Sequence, residues 1–160
     1  MSIDARGFDD GGASRPHSGV SQSPPELIGQ TIDERYRVEA LLGEGGMGLV
    51  YRVRHTRLNK PLAIKVLRRE NTRDEEVLAR FRREAESASA IGNQHIVDIN
   101  DFGVLPDGST YFVMECLEGM DLIEAMDRAQ RMPEDRALHI ASQICQALNA
   151  AHDAGIVHRD

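Results

Sequence analysis

Apolar residues are concentrated in five short stretches of this chain, a pattern typical of β-strands, and in the second of them they alternate with polar residues. Leucine, isoleucine, valine and tyrosine dominate these stretches, and glycine or proline flanks several of them. The predicted strands cover residues 36–42, 49–54, 62–67, 96–99 and 111–115. The first two are close enough in sequence to form a hairpin.

Three other segments repeat their apolar residues every three or four positions, which predicts helices. The first helix, over residues 74–90, is inserted between the third and fourth strands and has Val77, Leu78, Phe81, Ala85 and Ala88 at helical spacing. Two more, over residues 121–130 and 133–153, follow the last strand. We expect Pro133 to be the first residue of the last helix and Gly155 to end it. The apolar stripe of that helix comprises Ile140, Ile144, Ala147, Leu148 and Ala151.

This order of elements indicates an α+β fold: five antiparallel strands with one inserted helix, then an all-helical part. Residues 1–30 are rich in glycine, serine and proline and have few large apolar side chains, which predicts a flexible tail. We expect the strands and the inserted helix to form a small lobe over residues 31–117. Residues 118–160 would then be the first part of a second, helical lobe.

Composition narrows the classes of function. The 160 residues carry 26 acidic and 19 basic side chains, a net charge of −7, which disfavours nucleic acid and anionic membranes as partners. Cys116 and Cys145 have no C-x-x-C spacing, so they indicate neither zinc nor a disulfide framework and favour a cytoplasmic location. No run suits a signal peptide or a membrane span. A membrane anchor beyond residue 160 and the oligomeric state stay open.

Residues 43–48 read G-E-G-G-M-G and match G-x-G-x-x-G, which alone is weak evidence for a phosphate site. In dinucleotide-binding folds the last glycine opens a helix. Here the following residues, L-V-Y-R-V, are typical of a strand. The motif therefore predicts a hairpin turn that could cover phosphates with bare backbone N–H groups. The alternative is a plain flexible hairpin.

Lys65 lies in the middle of an apolar predicted strand, where its ammonium group loses hydration unless it meets an anion. Phosphate oxygens could provide that anion, and so could a carboxylate of the inserted helix, for which Glu84 is the best candidate. In the alternative interpretation, Lys65 extends to solvent from an edge strand and Glu84 also faces solvent.

Five motifs, in this order, resemble the signature motifs of protein kinases. They are L-G-E-G-G-M-G-L-V-Y at 42–51, A-I-K at 63–65, F-R-R-E at 81–84, Y-F-V-M-E at 111–115 and H-R-D at 158–160. The G-G-M-G loop and the G-I-V-H-R-D ending look most like bacterial serine/threonine kinases of the eukaryotic type. The resemblance extends from about residue 36 to residue 160.

The resemblance implies transfer of the γ-phosphoryl group of ATP to serine or threonine hydroxyls of proteins. It assigns catalytic roles to Asp160, as the base for the substrate hydroxyl, and to Lys65, which would hold the phosphates and pair with Glu84. His158 would be a structural residue and Arg159 would contact a phosphorylated activation loop.

The same resemblance implies a nucleotide pocket. The glycine loop would cover the phosphates, Val50 and Ala63 would enclose the adenine, and Met114 would be the gatekeeper. The backbone of residues 115–117 would bind the adenine edge, and Glu118 or Asp121 could reach the ribose. The implied nucleotide-binding residues are Leu42, Gly43, Glu44, Gly45, Gly46, Met47, Gly48, Leu49, Val50, Ala63, Lys65, Met114, Glu115, Cys116 and Leu117.

The chain departs from the family pattern in two places. It has N-Q-H-I-V at 93–97 where kinases usually have H-P-N-I-V, and Leu62 where V-A-I-K has valine. It also contains D-F-G at 101–103, but this copy precedes H-R-D, whereas the magnesium-binding copy of kinases follows it. We therefore assign Asp101 no metal. His152 and His158 lack further suitably spaced ligands, so we expect them to pack structurally.

Kinases bind Mg²⁺ through an asparagine after H-R-D and through the later D-F-G aspartate. Both would lie beyond Asp160, so no metal ligand is expected here, and the sequence reads as an N-terminal kinase fragment that is inactive alone. Two other functions stay open: a pseudokinase-like module that binds nucleotide or a protein without catalysis, and a dinucleotide-binding oxidoreductase. The strand after the glycine loop disfavours the oxidoreductase.

Overall fold

The computed structural model describes residues 27–129 and 131–157. These residues form one six-stranded antiparallel sheet and three α-helices, which confirms the α+β prediction. The elements are β1 (Thr31–Ile32), β2 (Tyr36–Glu44), β3 (Gly48–His55), β4 (Pro61–Leu67), α1 (Glu75–Ile91), β5 (Ile99–Val104), β6 (Thr110–Glu115), α2 (Leu122–Ala129) and α3 (Glu134–Asp153). The strand order is β1-β2-β3-β4-β6-β5, and a 3-10 turn over Arg69–Asn71 leads from β4 to α1.

The sheet has one strand more than predicted. Strand β1 is only two residues long, too short to show an alternating pattern, and it pairs with the start of β2. The turn between them places Asp33 and Glu34 at φ values of 47° and 57°, and the Asp33 carboxylate accepts a hydrogen bond from the Tyr111 hydroxyl of β6. This contact joins the start of the described chain to the far side of the sheet.

The predicted strand at residues 96–99 is wrong in its bounds, because the structure places β5 at Ile99–Val104. Ile96 instead donates its N–H to the Asn93 carbonyl in a turn after α1. The inward-facing positions of β5 include Asp101 and Gly103, so a polar residue and a glycine replace the expected apolar residues. At Gly103 a Cβ would lie 2.5 Å from the ring of Tyr111, which occupies the space of a side chain.

Two apolar clusters lie on opposite faces of the sheet. The larger cluster has Val38, Leu49, Val53, Ile64 and Val113 among its most buried members. The smaller cluster packs α1 against the other face through Leu67, Phe81, Ala85 and Phe112. The rings of Phe81 and Phe112 have centroids 4.9 Å apart. The smaller cluster fixes α1 against β4 and β6, the two strands that carry the candidate site.

Both ends of α1 are capped. The Asp74 carboxylate accepts the N–H groups of Glu76 and Val77, which caps the first turn. Gly92 ends the helix in the left-handed conformation, at a φ of 57°. The helix therefore begins and ends within two residues of its predicted bounds.

Helices α2 and α3 contain no buried residue. Along the predicted stripe of α3, Ile144 is 48% exposed and Leu148 is 36% exposed. Pro133 is the residue before the first helical one, while Gly155 follows the helix end with a φ of 75°. No helix in the described part of the chain has the length and apolar character needed to cross a membrane.

Candidate active site

Lys65 and Glu84 meet although they belong to different elements. The Nζ of Lys65, in the middle of β4, lies 2.5 Å from Oε1 of Glu84 on α1. The Lys65 side chain is 19% exposed and that of Glu84 is 40% exposed. The Lys65 ammonium also lies 5.7 Å from the ring centroid of Phe112 and 6.0 Å from that of Phe81. These contacts exclude a Lys65 that simply extends into solvent.

The glycine-rich segment is the turn of the β2–β3 hairpin. Gly43 pairs with Val50, and Glu44 pairs with Leu49. The N–H of Gly45 donates to the carbonyl of Gly48 at 2.9 Å and closes the turn. Because this turn joins two antiparallel strands, and not a strand and a helix, the structure excludes the dinucleotide-binding alternative.

Gly48 is the one position of the turn where the fold requires the absence of a side chain. A Cβ there would overlap the carbonyl oxygen of Val66 in β4, which is backbone and cannot rotate away. At Gly43 and Gly46, by contrast, a Cβ would meet nothing within 4 Å. The last glycine therefore serves the close approach of β3 to β4, while the others leave the outer side of the turn bare.

The strand register brings four of the sequence-predicted residues to one face of the sheet. Val50 pairs with Lys65 across β3 and β4, and Ala63 pairs with Met114 across β4 and β6. Directly paired residues share a face, as do residues two apart on one strand. Leu49 lies on the opposite face, 1% exposed within the larger cluster, so its side chain is not part of this surface.

The last residue of β6 is tied to the residue that precedes β5. The N–H of Glu115 donates to the Asp98 carbonyl, and the Asp98 N–H donates to the Glu115 carboxylate, both at 3.0 Å. Beyond this double contact Cys116 is half-buried and Leu117 is 68% exposed. Leu42, at the other rim of the predicted pocket, is 51% exposed.

Asp101 has protein partners of its own. Its carboxylate accepts a hydrogen bond from the Tyr36 hydroxyl at 2.7 Å and forms an ion pair with Arg35 at 2.9 Å. Burial alone would raise the pKa of Asp101, but the bonds from Tyr36, the Phe102 N–H and Arg35 outweigh it and hold that pKa below its usual value. The D-F-G at 101–103 thus lies within β5 and forms part of a structural network.

The same network affects two tyrosines. Burial, followed by the hydrogen bond to Asp101, raises the pKa of Tyr36 to about 12. Burial and the bond to Asp33 also raise the pKa of Tyr111. Both hydroxyls therefore remain protonated donors across the neutral range.

Sequence reasoning missed two residues beside the glycine turn, Arg68 and Asn71. Arg68 Nη2 lies 2.8 Å from a carboxylate oxygen of Glu44, and Asn71 Nδ2 lies 3.4 Å from the Met47 carbonyl. Their only signal in the sequence is a basic and an amide residue after a strand, which is too common to identify a contact.

The predicted catalytic Asp160, with His158 and Arg159, lies outside the described residues. Within residues 27–129 and 131–157, no three His, Cys, Asp or Glu side chains are grouped to hold a metal ion.

Comparison with known proteins gives consistent matches. Residues 36–160 match the family model described as protein kinase domain. The chain is 44% identical over 135 residues to serine/threonine-protein kinase pkn3 of Myxococcus xanthus, which covers 84% of this chain and 25% of the relative. It is 42% identical over 134 residues to serine/threonine-protein kinase PrkC of Bacillus subtilis, covering 84% of this chain and 20% of that protein.

Solved structures agree with these matches. The crystal structure of the Mycobacterium tuberculosis PknI kinase domain superposes with a TM-score of 0.68 at 33% identity, covering 84% of this chain and 55% of that one. The chain thus spans a quarter or less of the length of the two curated relatives named above, and about half of the solved domain.

Proposed function

Because this chain belongs to the protein kinase family, we propose that it forms the ATP-binding lobe of an enzyme that transfers the γ-phosphoryl group of ATP to serine or threonine hydroxyls of proteins. The observation that carries this proposal is the Lys65–Glu84 ion pair, on the sheet face next to the glycine hairpin. Serine/threonine specificity draws on the names of the relatives.

Catalysis of phosphoryl transfer requires a fixed positive charge beside the phosphates. That charge stabilises the negative charge on the phosphate oxygens while the bond to the γ-phosphorus breaks. Lys65 can supply that charge. Glu84 keeps the lysine ammonium in one position, and the Phe81 and Phe112 rings flank it. Partial removal from water strengthens the interaction of such a charge with an anion.

The remaining side chains of this face suit a flat aromatic base. Ala63 is buried and Val50 and Met114 are half-buried, so together they offer an apolar surface beside the lysine. The hairpin turn, with its bare glycine backbone, can approach phosphate oxygens closely. We propose that adenine lies against Val50 and Ala63, near the gatekeeper Met114, with its edge at residues 115–117.

By resemblance, Asp160 accepts the proton of the substrate hydroxyl. The bond from that hydroxyl oxygen to the γ-phosphorus forms as the bond to the β,γ-bridging oxygen breaks, and ADP leaves. When bound, Mg²⁺ would neutralise charge on the phosphates. By resemblance, we expect its ligands to follow Asp160. We therefore also propose that residues 1–160 alone bind nucleotide but transfer no phosphate.

The test of this function uses the complete kinase domain that contains this chain. Lys65→Met should abolish autophosphorylation, measured by transfer of labelled phosphate from ATP. Lys60→Met is the matched control, because Lys60 is an exposed residue in the turn before β4 and should leave the rate unchanged. Equal rates for Lys65→Met and the unaltered enzyme would refute the kinase assignment.

A pseudokinase-like module is the alternative that the same preparation distinguishes. It would bind a fluorescent ATP analogue through Lys65 but transfer no phosphate in the complete domain. The intact pair of Lys65 and Glu84 favours an active enzyme, since modules that only bind often lack one of these groups. The net charge of −7 disfavours nucleic acid as a partner, and we propose ATP and protein substrates as partners and a cytoplasmic location.

A further inference from the structure

The segment that joins β4 to α1 holds the glycine turn through three polar contacts. Arg68 binds the Glu44 carboxylate through Nη2 at 2.8 Å, and its backbone N–H donates to the Met47 carbonyl at 3.1 Å. Asn71 Nδ2 donates to that same carbonyl at 3.4 Å. Two residues outside every kinase motif of this sequence thus contact both sides of the turn, at Glu44 where β2 ends and at Met47 just before β3 begins.

The Met47 side chain adds an apolar contact beneath the turn. It is half-buried against the cluster formed by Leu67, Phe81, Ala85 and Phe112. Phe81 and Ala85 belong to α1, so Met47 packs against a cluster that the helix and the sheet share. The turn residues Gly45 and Gly46, in contrast, are exposed.

The holding segment is continuous with the helix that carries Glu84. The Asn71 carbonyl accepts the N–H of Asp74 at 3.2 Å, and Asp74 caps the first turn of α1. A displacement of α1 that separated Glu84 from Lys65 would therefore also displace the partners of the glycine turn. The glycine turn and the Lys65–Glu84 ion pair therefore both depend on the position of α1 and of the segment before it.

We propose that Arg68 and Asn71 are positioning residues that hold the glycine turn over the phosphates of ATP, at a height set by α1. The inference rests on the proposed function. A glycine-rich turn populates many backbone conformations, and each one that is lost on nucleotide binding lowers the affinity. Contacts that restrict the turn beforehand reduce that loss. The Arg68–Glu44 pair is partly exposed, with side chains 25% and 50% accessible, so its effect on global stability is small.

The test compares Arg68→Gln with Arg69→Gln in the complete kinase domain. Arg69 is the adjacent arginine, is exposed, and its side chain makes no hydrogen bond or ion pair within the described residues. Arg68→Gln should raise the Kd of a fluorescent ATP analogue and the KM for ATP about three- to tenfold. The KM for the protein substrate and the melting temperature should stay unchanged, as should every constant of Arg69→Gln.

Two further measurements separate positioning from a general structural role. Amide hydrogen exchange at residues 44–48 should accelerate in Arg68→Gln and Asn71→Ala, while exchange in β4 stays the same. Glu44→Gln should reproduce the effect of Arg68→Gln. The double variant should bind nucleotide as tightly as either single variant, because both substitutions remove the same contact. If Arg68→Gln does not fold, Glu44→Gln, at the more exposed end of the pair, gives the same comparison.

The failures are distinguishable. If Lys65→Met abolishes phosphoryl transfer but Arg68→Gln, Glu44→Gln and Asn71→Ala bind nucleotide as Arg69→Gln does, the positioning role is refuted and the kinase function stands. Additive effects of Glu44→Gln and Arg68→Gln would also refute it. If Lys65→Met transfers phosphate at the full rate, the proposed function itself has failed.

Discussion

The ammonium nitrogen of Lys65 lies 2.5 Å from a carboxylate oxygen of Glu84, across the interface between β4 and α1. Helix α1 can present Glu84 there because Phe81, one turn earlier, is fully buried against Phe112 of the sheet. The apolar packing fixes the helix, and the ion pair then fixes the lysine. Because both side chains retain partial exposure, the pair is worth little for stability, and its main effect is orientation.

Loss of the Glu84 charge should therefore reduce catalysis more than stability. We expect Glu84→Gln, in the complete kinase domain, to lower kcat/KM for ATP about 10- to 100-fold, because Lys65 loses its fixed position. Steady-state phosphorylation rates at varied ATP concentration measure the change. Glu86→Gln, two residues along the same helix and exposed, is the control and should behave as the unaltered enzyme. A Glu84→Gln enzyme with full kcat/KM would contradict a positioning role for this carboxylate.

Alanine at Gly48 should destabilise the fold, whereas alanine at Gly46 should not. The Cβ of Gly48→Ala would overlap the Val66 carbonyl oxygen, and β3 must move away from β4 to relieve it. We expect a loss of about 1–3 kcal/mol in the free energy of unfolding, measured by urea denaturation. Gly46→Ala meets nothing within 4 Å and should change it by less than about 0.5 kcal/mol. Equal effects at both positions would show that β3 and β4 are further apart at Gly48 than in the structure.

The Asp101 network should make stability depend on pH at the acid end. Because the folded-state pKa of Asp101 lies below its unfolded value, its contribution is present above about pH 4 and is lost as the pH falls through the folded-state pKa. We expect Asp101→Asn to lower the melting temperature at pH 7, with the difference from the unaltered chain shrinking below about pH 4. Thermal unfolding at several pH values tests this. Asp127→Asn, at an exposed position of α2, should show no such convergence.

Phe81 of the core and Ile144 of the α3 stripe are both large apolar residues, but they should contribute very differently to the free energy of unfolding. Phe81 is fully buried between α1 and the sheet, so Phe81→Ala should cost about 3–5 kcal/mol of unfolding free energy. Ile144 is 48% exposed on α3, and Ile144→Ala in residues 1–160 should cost less than about 1 kcal/mol. Urea denaturation of both variants provides the comparison. A large loss at Ile144 would mean that this part of α3 is covered in solution.

Much of the fold could be predicted because its signals are local. The continuous apolar runs at residues 62–67 and 111–115 predicted β4 and β6 closely, since most side chains of these strands are buried on one face of the sheet or the other. The helical spacing of apolar residues within 74–90 predicted α1. Strand β5 was misplaced because its inward positions hold Asp101 and Gly103, whose space is taken by partners distant in sequence.

The candidate site shows the same division. Lys65 in an apolar strand requires an anion, and from the sequence that anion could be phosphate oxygens or a carboxylate of the inserted helix, with Glu84 as the best candidate. The structure shows the contact with Glu84. The face of Leu49, however, depends on strand register, and the register places it in the larger apolar cluster, away from Val50. The Arg68–Glu44 contact joins residues 24 positions apart, and no periodicity in the sequence encodes it.

The double contact between Glu115 and Asp98 also limits what can bind at the end of β6. The N–H of Glu115 is already donated to the Asp98 carbonyl, so a purine cannot take that donor without detaching the residues that lead into β5. A ligand edge that seeks a donor on this segment must reach further along the backbone, towards Cys116 and Leu117. Under the proposed function, compounds whose edge reaches Cys116 and Leu117, and not the Glu115 N–H, should therefore be the ones that compete with ATP at this segment.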